Sequence, residues 1–232
     1  MNDGDAATIV LAPLDATPNA YREALSLLSR DELARAGQFV RETDRRRFVV
    51  ARARLRELLA ERLNTSPRVI GLTYGRAGKP ALAPRSGCSS LRFNVSHCGD
   101  VAAFALVHGC EVGVDIEEVR PLTDADDMAA LVFSENERAE YRALPAEEKC
   151  CGFFNGWTRK EAFVKAVGDG LGYPLDQFDV SLAPGKPAKL LRVSGEPADR
   201  TPWTLDVFEP APGMVGAIVV GRREPELARE GR

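Results

Sequence analysis

The sequence is short of several patterns, and each shortage excludes a class of protein. No apolar run approaches the roughly 20 residues that a helix needs to cross a bilayer. The cysteines (Cys88, Cys98, Cys110, Cys150 and Cys151) are odd in number and lack CxxC spacing, so they read as reduced thiols. Basic charge is not in excess: 31 Lys and Arg stand against 34 Asp and Glu, a net charge of −3. That balance argues against a general nucleic-acid coat protein. The opening segment MNDGDAATIVLAPLDATP is acidic where a signal peptide carries its basic stretch. These absences predict a cytoplasmic protein with no membrane span and no nucleic-acid partner. Histidine is also scarce, with two in the chain, so the position of each carries weight.

What is present fits a soluble globular chain mixing helix and strand. A length of 232 residues allows one large domain or two small ones. It is also enough to bury about 70% of the unfolded surface without a metal or disulfide staple. TIVLA at 8–12 reads as a strand, and Ser29-x-x-Glu32 has the spacing of a capping box opening a helix toward Phe39. The spacing of Phe48, Ala51, Leu55 and Leu58 predicts a helix over 44–63 with one buried face, Arg45, Arg46, Arg47 and Arg52 elsewhere on it, and Pro67 as its stop. A Gly/Pro-rich stretch follows over 74–90. Residues 91–95 and 101–107 read as paired strands joined through 96–100, and 111–119 as a further strand. Helices are expected over 123–131, 135–143 (capped by Ser134) and 147–167 (stopped by Gly168-Asp169-Gly170). Strands are expected over 176–182, 189–194, 203–208 and 214–220, and a frayed polar tail from 221. Helix followed by strands occurs twice, which suggests a duplicated α+β half with its join near Cys110.

Two acids on one strand are the first chemical signal. Strand side chains alternate, so Asp115 and Glu117 share a face. Adjacent carboxylates repel unless a cation lies between them, and Mg²⁺ suits hard oxygen ligands. A wetted polar face is the plainer explanation of that pair alone. The helix over 147–167 adds the second signal. At about 100° per residue, Glu161 falls between Trp157 and Phe154, inside the apolar stripe that Phe153 and Val164 continue. A carboxylate there is costly unless it is paired or holds a metal. Lys160 and Lys165 flank the stripe, and an i,i+4 pair of Glu161 with Lys165 does not explain the inward carboxylate. Asp115, Glu117, Glu161 and a lysine therefore form a candidate Mg²⁺-phosphate site. Lys79, in Gly78-Lys79-Pro80, and Ser96-His97 are secondary candidates. The arginines at 45–47 suit phosphate because they are always charged and bind in a fork.

Taken together, these segments resemble a 4′-phosphopantetheinyl transferase of the Sfp type, the monomeric kind with two similar halves. The matching stretches are GKPAL at 78–82, FNVSH at 93–97, GVDIEEV at 113–119 and WTRKEAFVKAVGDGL at 157–171, with FSENE at 133–137 a looser match. The W…KEA form resembles the subgroup that serves many carrier proteins. The resemblance implies an α+β fold of two pseudo-twofold halves, 1–110 holding the coenzyme A nucleotide and 111–232 the metal ligands and catalytic helix, with the active site between them. It implies transfer of phosphopantetheine from coenzyme A to a serine of an apo acyl or peptidyl carrier protein of fatty-acid, polyketide or non-ribosomal peptide synthesis, releasing 3′,5′-ADP. Asp115, Glu117 and Glu161 would hold Mg²⁺, or Mn²⁺ in its place. His97 and Lys165 would hold the pyrophosphate, with Ser96 and Lys79 assisting near the nucleotide. Arg46, Arg47 and Arg35 would grip the 3′-phosphate. Glu161, Lys165 or a water held by Glu137 would take the serine proton. Apolar residues around Leu122–Phe133 would receive a carrier helix.

Two departures stand out. Glu32 lies where relatives often carry a basic residue near the 3′-phosphate, and Cys98 follows His97 where Ser or Thr is common. Two rival readings differ in class. A non-catalytic binder of coenzyme A or carrier would be expected to lose one of His97, Asp115, Glu117, Glu161 and Lys165, yet all are present. A Mg²⁺-dependent nuclease would need its E-x-K on a strand, whereas 161–165 reads as helix.

Overall fold

The computed structural model describes residues 6–75, 78–84, 90–168 and 170–222. Its first elements are β1 (Thr8–Pro13), α1 (Pro18–Leu27), α2 (Arg30–Ala36), α3 (Glu42–Arg62), β2 (Leu72–Tyr74), β3 (Pro80–Leu82), β4 (Leu91–Cys98) and β5 (Val101–His108). There follow β6 (Cys110–Glu118), α4 (Ala125–Val132), α5 (Glu135–Ala143), α6 (Lys149–Val167), β7 (Phe178–Val180), β8 (Leu190–Val193), β9 (Glu196–Pro197), β10 (Trp203–Phe208) and β11 (Met214–Arg222). One pattern runs twice: a strand, three helices, a small sheet and a hairpin. The sheet order repeats with it, β1-β5-β4 and then β6-β11-β10, with every pairing antiparallel. The class is α+β.

Apolar alternation decides how these pieces stack. On the outer face of the first sheet, Phe93, Ala102, Phe104 and Leu106 pack against Ala51, Leu55, Leu58 and Leu59 of α3. On the outer face of the second, Ala217 and Val219 pack against Ala162, Phe163 and Ala166 of α6. The inner faces meet through Ala103, Ala105 and Val107 on one side and Val112, Val114, Ile116 and Ile218 on the other. The layers are thus helix, sheet, sheet, helix. Each large core side chain contributes about 1.5–3 kcal/mol on burial.

Several boundaries differ from expectation, each for a local reason. Helix α1 forms where none is expected, because Thr17 caps the Ala20 amide and Pro18 opens the first turn. Helix α3 stops at Arg62, within one residue of expectation, but Pro67 is not what stops it. Asn64 takes a left-handed φ of 48° just beyond its end, and Pro67 begins a short 3₁₀ turn instead. It also buries a second face, where Phe48, Val49 and Ala53 meet Ala24, Leu28 and Ala36. Strand β4 continues through Ser96, His97 and Cys98, so its turn into β5 is only Gly99-Asp100, with Gly99 at φ 55°. The strand β9 is not evident from its two residues, Glu196 and Pro197. Cys98, Cys150 and Cys151 are free thiols. Cys88, Asp169 and the tail beyond Arg222 lie outside the described residues.

The expected capping box at Ser29 forms, and its glutamate has a second task. Glu32 accepts from the Ser29 amide at 2.8 Å and from Arg56 Nε of α3 at 2.7 Å, both side chains nearly inaccessible. Arg56 also donates to the carbonyls of Pro67 and Ile70, at 2.8 and 3.0 Å. Removing one partner of a buried pair leaves the other charged and alone, at a cost of about 3–5 kcal/mol. Glu32→Ala is therefore expected to lower the unfolding free energy by that much, read as a lower urea midpoint with the slope unchanged, and a loss under about 1 kcal/mol would contradict a closed pair.

Candidate active site

Strands β4 and β6 each form the edge of their own sheet, and these two edges lie side by side. Side chains bridge the seam that backbone pairing leaves open. Asn94 Oδ1 accepts from the Val114 amide at 2.9 Å, Ser96 Oγ donates to Asp115 Oδ1 at 2.8 Å, and Cys98 Sγ lies 3.8 Å from Glu117 Oε2. Alternate residues of β4 thus meet Val114, Asp115 and Glu117 of β6. Asp115 and Glu117 share a face of β6, as their spacing predicts.

Helix α6 lies across that same face, and Gly113 allows it to. A Cβ at Gly113 would fall 2.0 Å from the Ala162 carbonyl oxygen and 2.3 Å from the Ala166 amide nitrogen, so any side chain would push the helix away. The close approach places Glu161 and Lys165 opposite Asp115. A cavity of about 320 Å³ results, lined by Ser96, His97, Asp115, Glu117, Trp157, Glu161 and Lys165 with Val95 and Ile116. The structure therefore brings together six of the sequence candidates: Ser96, His97, Asp115, Glu117, Glu161 and Lys165.

Their contacts are unequal. Lys165 Nζ donates to Asp115 Oδ1 at 2.6 Å and to Ser96 Oγ at 3.2 Å, so its ion pair is with Asp115 and not with Glu161. Trp157 Nε1 donates to Glu117 Oε1 at 3.2 Å. Asp115 Oδ2 and Glu161 Oε1 are buried and accept from no donor. Burial, with Asp115 adding its charge, raises Glu117 above the usual carboxylate value, and hydrogen bonds from Trp157 and Cys98 oppose it. Burial also raises Glu161; Lys165 offsets this in part, while Asp115 and Glu117 reinforce it. His97 stands exposed at the rim, where partial desolvation and then Lys165 hold its ring below the ordinary imidazole value.

Three carboxylates facing one ammonium leave the cavity short of positive charge. Two orphaned oxygens are where a hard dication would find ligands, so the donor set fits Mg²⁺ or Mn²⁺. Among the described residues no three His, Cys, Asp or Glu side chains stand so as to hold a metal ion by themselves. Lys165 engages one oxygen of Asp115, and Trp157 and Cys98 engage Glu117. Mg²⁺ is usually bound by one or two carboxylates, phosphate oxygens and water, which this open arrangement can supply.

The remaining candidates lie elsewhere. Lys79 turns away from the cavity, donating to the carbonyls of Val112 and Ala166 at 3.0 and 3.4 Å. Arg46 donates to the Ala16 carbonyl and stacks on Tyr21, and Arg47 pairs with Asp100 in the β4–β5 turn. Arg35 lies over Phe48 and Tyr74, and Arg52 lies over the same two rings. The three arginines thus have separate partners. Glu137 is not at the cavity but buried against Lys160, which removes it as a holder of catalytic water. Glu32 is turned inward to Arg56, so it places no exposed negative charge beside the arginines. Around 122–133, Leu122, Met128 and Phe133 pack into the core, while Leu131 is 83% exposed. Asn94, which bridges to β6, and Trp157, which donates to Glu117, are positions at the seam and cavity that sequence reasoning did not single out. The signal for Trp157 was its place beside Glu161 on the helical wheel.

A family model described as the 4′-phosphopantetheinyl transferase superfamily matches residues 111–212. Another, described as 4′-phosphopantetheinyl transferase, N-terminal, matches 14–108. The 4′-phosphopantetheinyl transferase HetI of Nostoc sp. is 37% identical over 208 residues, 90% of this chain and 84% of HetI. AcpT of Salmonella typhimurium, also named a 4′-phosphopantetheinyl transferase, is 42% identical over 127 residues, 55% of this chain and 62% of AcpT. The human L-aminoadipate-semialdehyde dehydrogenase-phosphopantetheinyl transferase is 31% identical over 169 residues, 69% of this chain and 55% of that protein. The match thus spans most of HetI and under two thirds of the other two.

The raised Glu161 has a consequence for stability. The folded chain keeps this proton to higher pH than the unfolded chain does, so the contribution of Glu161 to stability falls as pH climbs from the ordinary carboxylate value through the raised one. Glu161→Gln removes the penalised charge. In metal-free buffer it is expected to raise Tm at pH 7.5 by about 2–4 °C, the shift of ~1 kcal/mol in a chain of this size, and by less at pH 5. A Tm at pH 7.5 equal to or below the parent would show that Glu161 carries no such penalty.

Proposed function

The chain belongs to the 4′-phosphopantetheinyl transferase superfamily, and from that premise we propose how its cavity performs the transfer. The substrate is coenzyme A, the acceptor is a serine hydroxyl of an apo acyl or peptidyl carrier protein, and the second product is 3′,5′-ADP. The observation that carries this reading is the convergence of Asp115, Glu117, Glu161, Lys165, Ser96 and His97 on one cavity at the seam between the repeated units. We place the division between halves at Cys110, where the second pattern begins, with the first half serving the nucleotide and the second the reacting phosphates.

Asp115, Glu117 and Glu161 would hold Mg²⁺ or Mn²⁺. When bound, the cation supplies Lewis-acid polarisation of the pyrophosphate and neutralises charge on the leaving group. Lys165, one turn from Glu161 on α6, and His97 at the rim bind pyrophosphate oxygens. His97, which desolvation and then Lys165 hold below its usual value in the unliganded chain, serves as a hydrogen-bond donor to those oxygens. The carrier serine Oγ forms a bond to the phosphorus bearing pantetheine, and the bond from that phosphorus to 3′,5′-ADP breaks. The serine proton passes to Glu161, at a carboxylate oxygen that the cation leaves unligated. Arg47, whose charge is felt at His97, reaches the rim with its Nε held by Asp100, while Arg46 and Arg35 lie over Tyr21 and Tyr74, and these three would grip the 3′-phosphate. The nuclease reading loses its premise, since 161–165 is helical.

Intact-mass analysis tests the reaction. Apo carrier incubated with the protein, coenzyme A and Mg²⁺ should gain one phosphopantetheine, and EDTA should abolish the gain. Glu161→Ala should lower kcat/KM by at least about 10³-fold while remaining folded, the scale for a group that acts in the transition state. Binding of coenzyme A without mass gain on any carrier class would favour the non-catalytic reading.

A further inference from the structure

The cavity accounts for Glu161 and Lys165 but not for the residue beside them on α6. Lys160 is 0% exposed and Glu137 1%, and Glu137 receives the ammonium with both oxygens, at 2.6 and 2.8 Å. The Phe178 carbonyl accepts from Lys160 at 3.0 Å. Glu137 is itself pinned, accepting from the amides of Ser134 and Val180, each at 2.7 Å. One buried ammonium thus ties α6 to the start of α5 and to β7. Burial raises Glu137 and lowers Lys160, and their mutual attraction opposes both shifts.

A buried ion pair is a poor route to stability, since well-packed apolar side chains often serve as well or better. What it supplies is direction, because charge-assisted hydrogen bonds are short and tolerate little displacement. Lys160 immediately precedes Glu161, about 100° away round the helix. On another side of α6, the Ala162 and Ala166 backbone rests on Gly113. Two fixed points on different sides define both the rotation and the height of a helix. The first repeat has the same device: the Ser29 capping-box glutamate, Glu32, takes Arg56 of α3, which also donates to two backbone carbonyls. In both repeats the anchored helix carries candidate site side chains, Arg46 and Arg47 on α3 and Glu161 and Lys165 on α6.

We propose that Lys160, seated on Glu137, is a positioning residue that fixes the rotation and height of α6 and thereby aims Glu161 and Lys165 into the cavity. Its kinetic consequence rests on the transferase reading above. The double variant Glu137→Gln/Lys160→Met removes both charges, and glutamine still closes a capping box. It should fold with a Tm near the parent. Its transfer kcat should fall about ten- to a hundredfold, with KM for coenzyme A within about threefold, the pattern of a misplaced catalytic group. Mn²⁺ titration without carrier should show a dissociation constant raised about tenfold or more, the scale for lost support of a ligand. A folded double variant with parental kcat and parental Mn²⁺ affinity would overturn the proposal. If the double variant does not fold, Lys160→Arg gives the test: it keeps the pair on a longer stem and should lower kcat about fivefold or more, and parental kcat would overturn the proposal. Absence of transfer by the parent protein would instead count against the transferase reading, leaving Mn²⁺ affinity to judge the anchor.

Discussion

The hydrogen-bonded run from Lys165 through Asp115 to Ser96 joins three elements, and most of the molecule serves to make it possible. Asp115 is 4% exposed, so its ionised form needs a cation at hand. Lys165 can be that cation only if α6 reaches β6, and Gly113 is what permits contact. Ser96 can join only if the edges of two separate sheets meet, and the apolar layer of Ala103, Ala105, Val112 and Val114 holds them together. The seam is an unpaired-edge problem solved by side chains, and the gaps left between them form the site.

The repeat explains both the architecture and its asymmetry. Each copy places a long helix on its sheet and anchors it through a Ser-x-x-Glu box to a buried basic residue. The copies then diverge. Where β6 carries Asp115 and Glu117, β1 reads TIVLAP with no acid at all, while α3 is rich in arginine. One copy is thus suited to anions and the other to a cation, and a substrate that is a chain of phosphates needs both. The orphaned oxygens of Asp115 and Glu161 are a local cost that binding would offset, the usual tension between stability and function.

Much of this was legible in the sequence because it follows from period and spacing. Period two placed Asp115 with Glu117, period 3.6 placed Glu161 beside Trp157, and the capping box at Ser29 and the cap at Ser134 marked their helices. What was hidden depended on partners distant in the chain. Lys160 read only as a lysine flanking the apolar stripe, and Glu137, held by a separate helix, makes its burial possible. Glu32 looked like a charge near the arginines, and Arg56 from another helix turned it inward. The polar stretch Ser96-His97-Cys98 read as a connection because its composition suits a loop. It is strand because β5 pairs along one side and β6 side chains satisfy it on the other. Lys79 was placed by its motif near phosphate, and its backbone contacts with β6 and α6 show what motif alone could not.

The central claim is that the seam between β4 and β6, roofed by α6, is where a divalent cation and the pyrophosphate of coenzyme A meet. Anomalous diffraction from crystals grown with Mn²⁺ and coenzyme A tests it most directly. The account predicts one strong anomalous peak among Asp115, Glu117 and Glu161, with pyrophosphate density against Lys165 and His97. A peak elsewhere, or coenzyme A bound with its pyrophosphate outside this cavity, would contradict it.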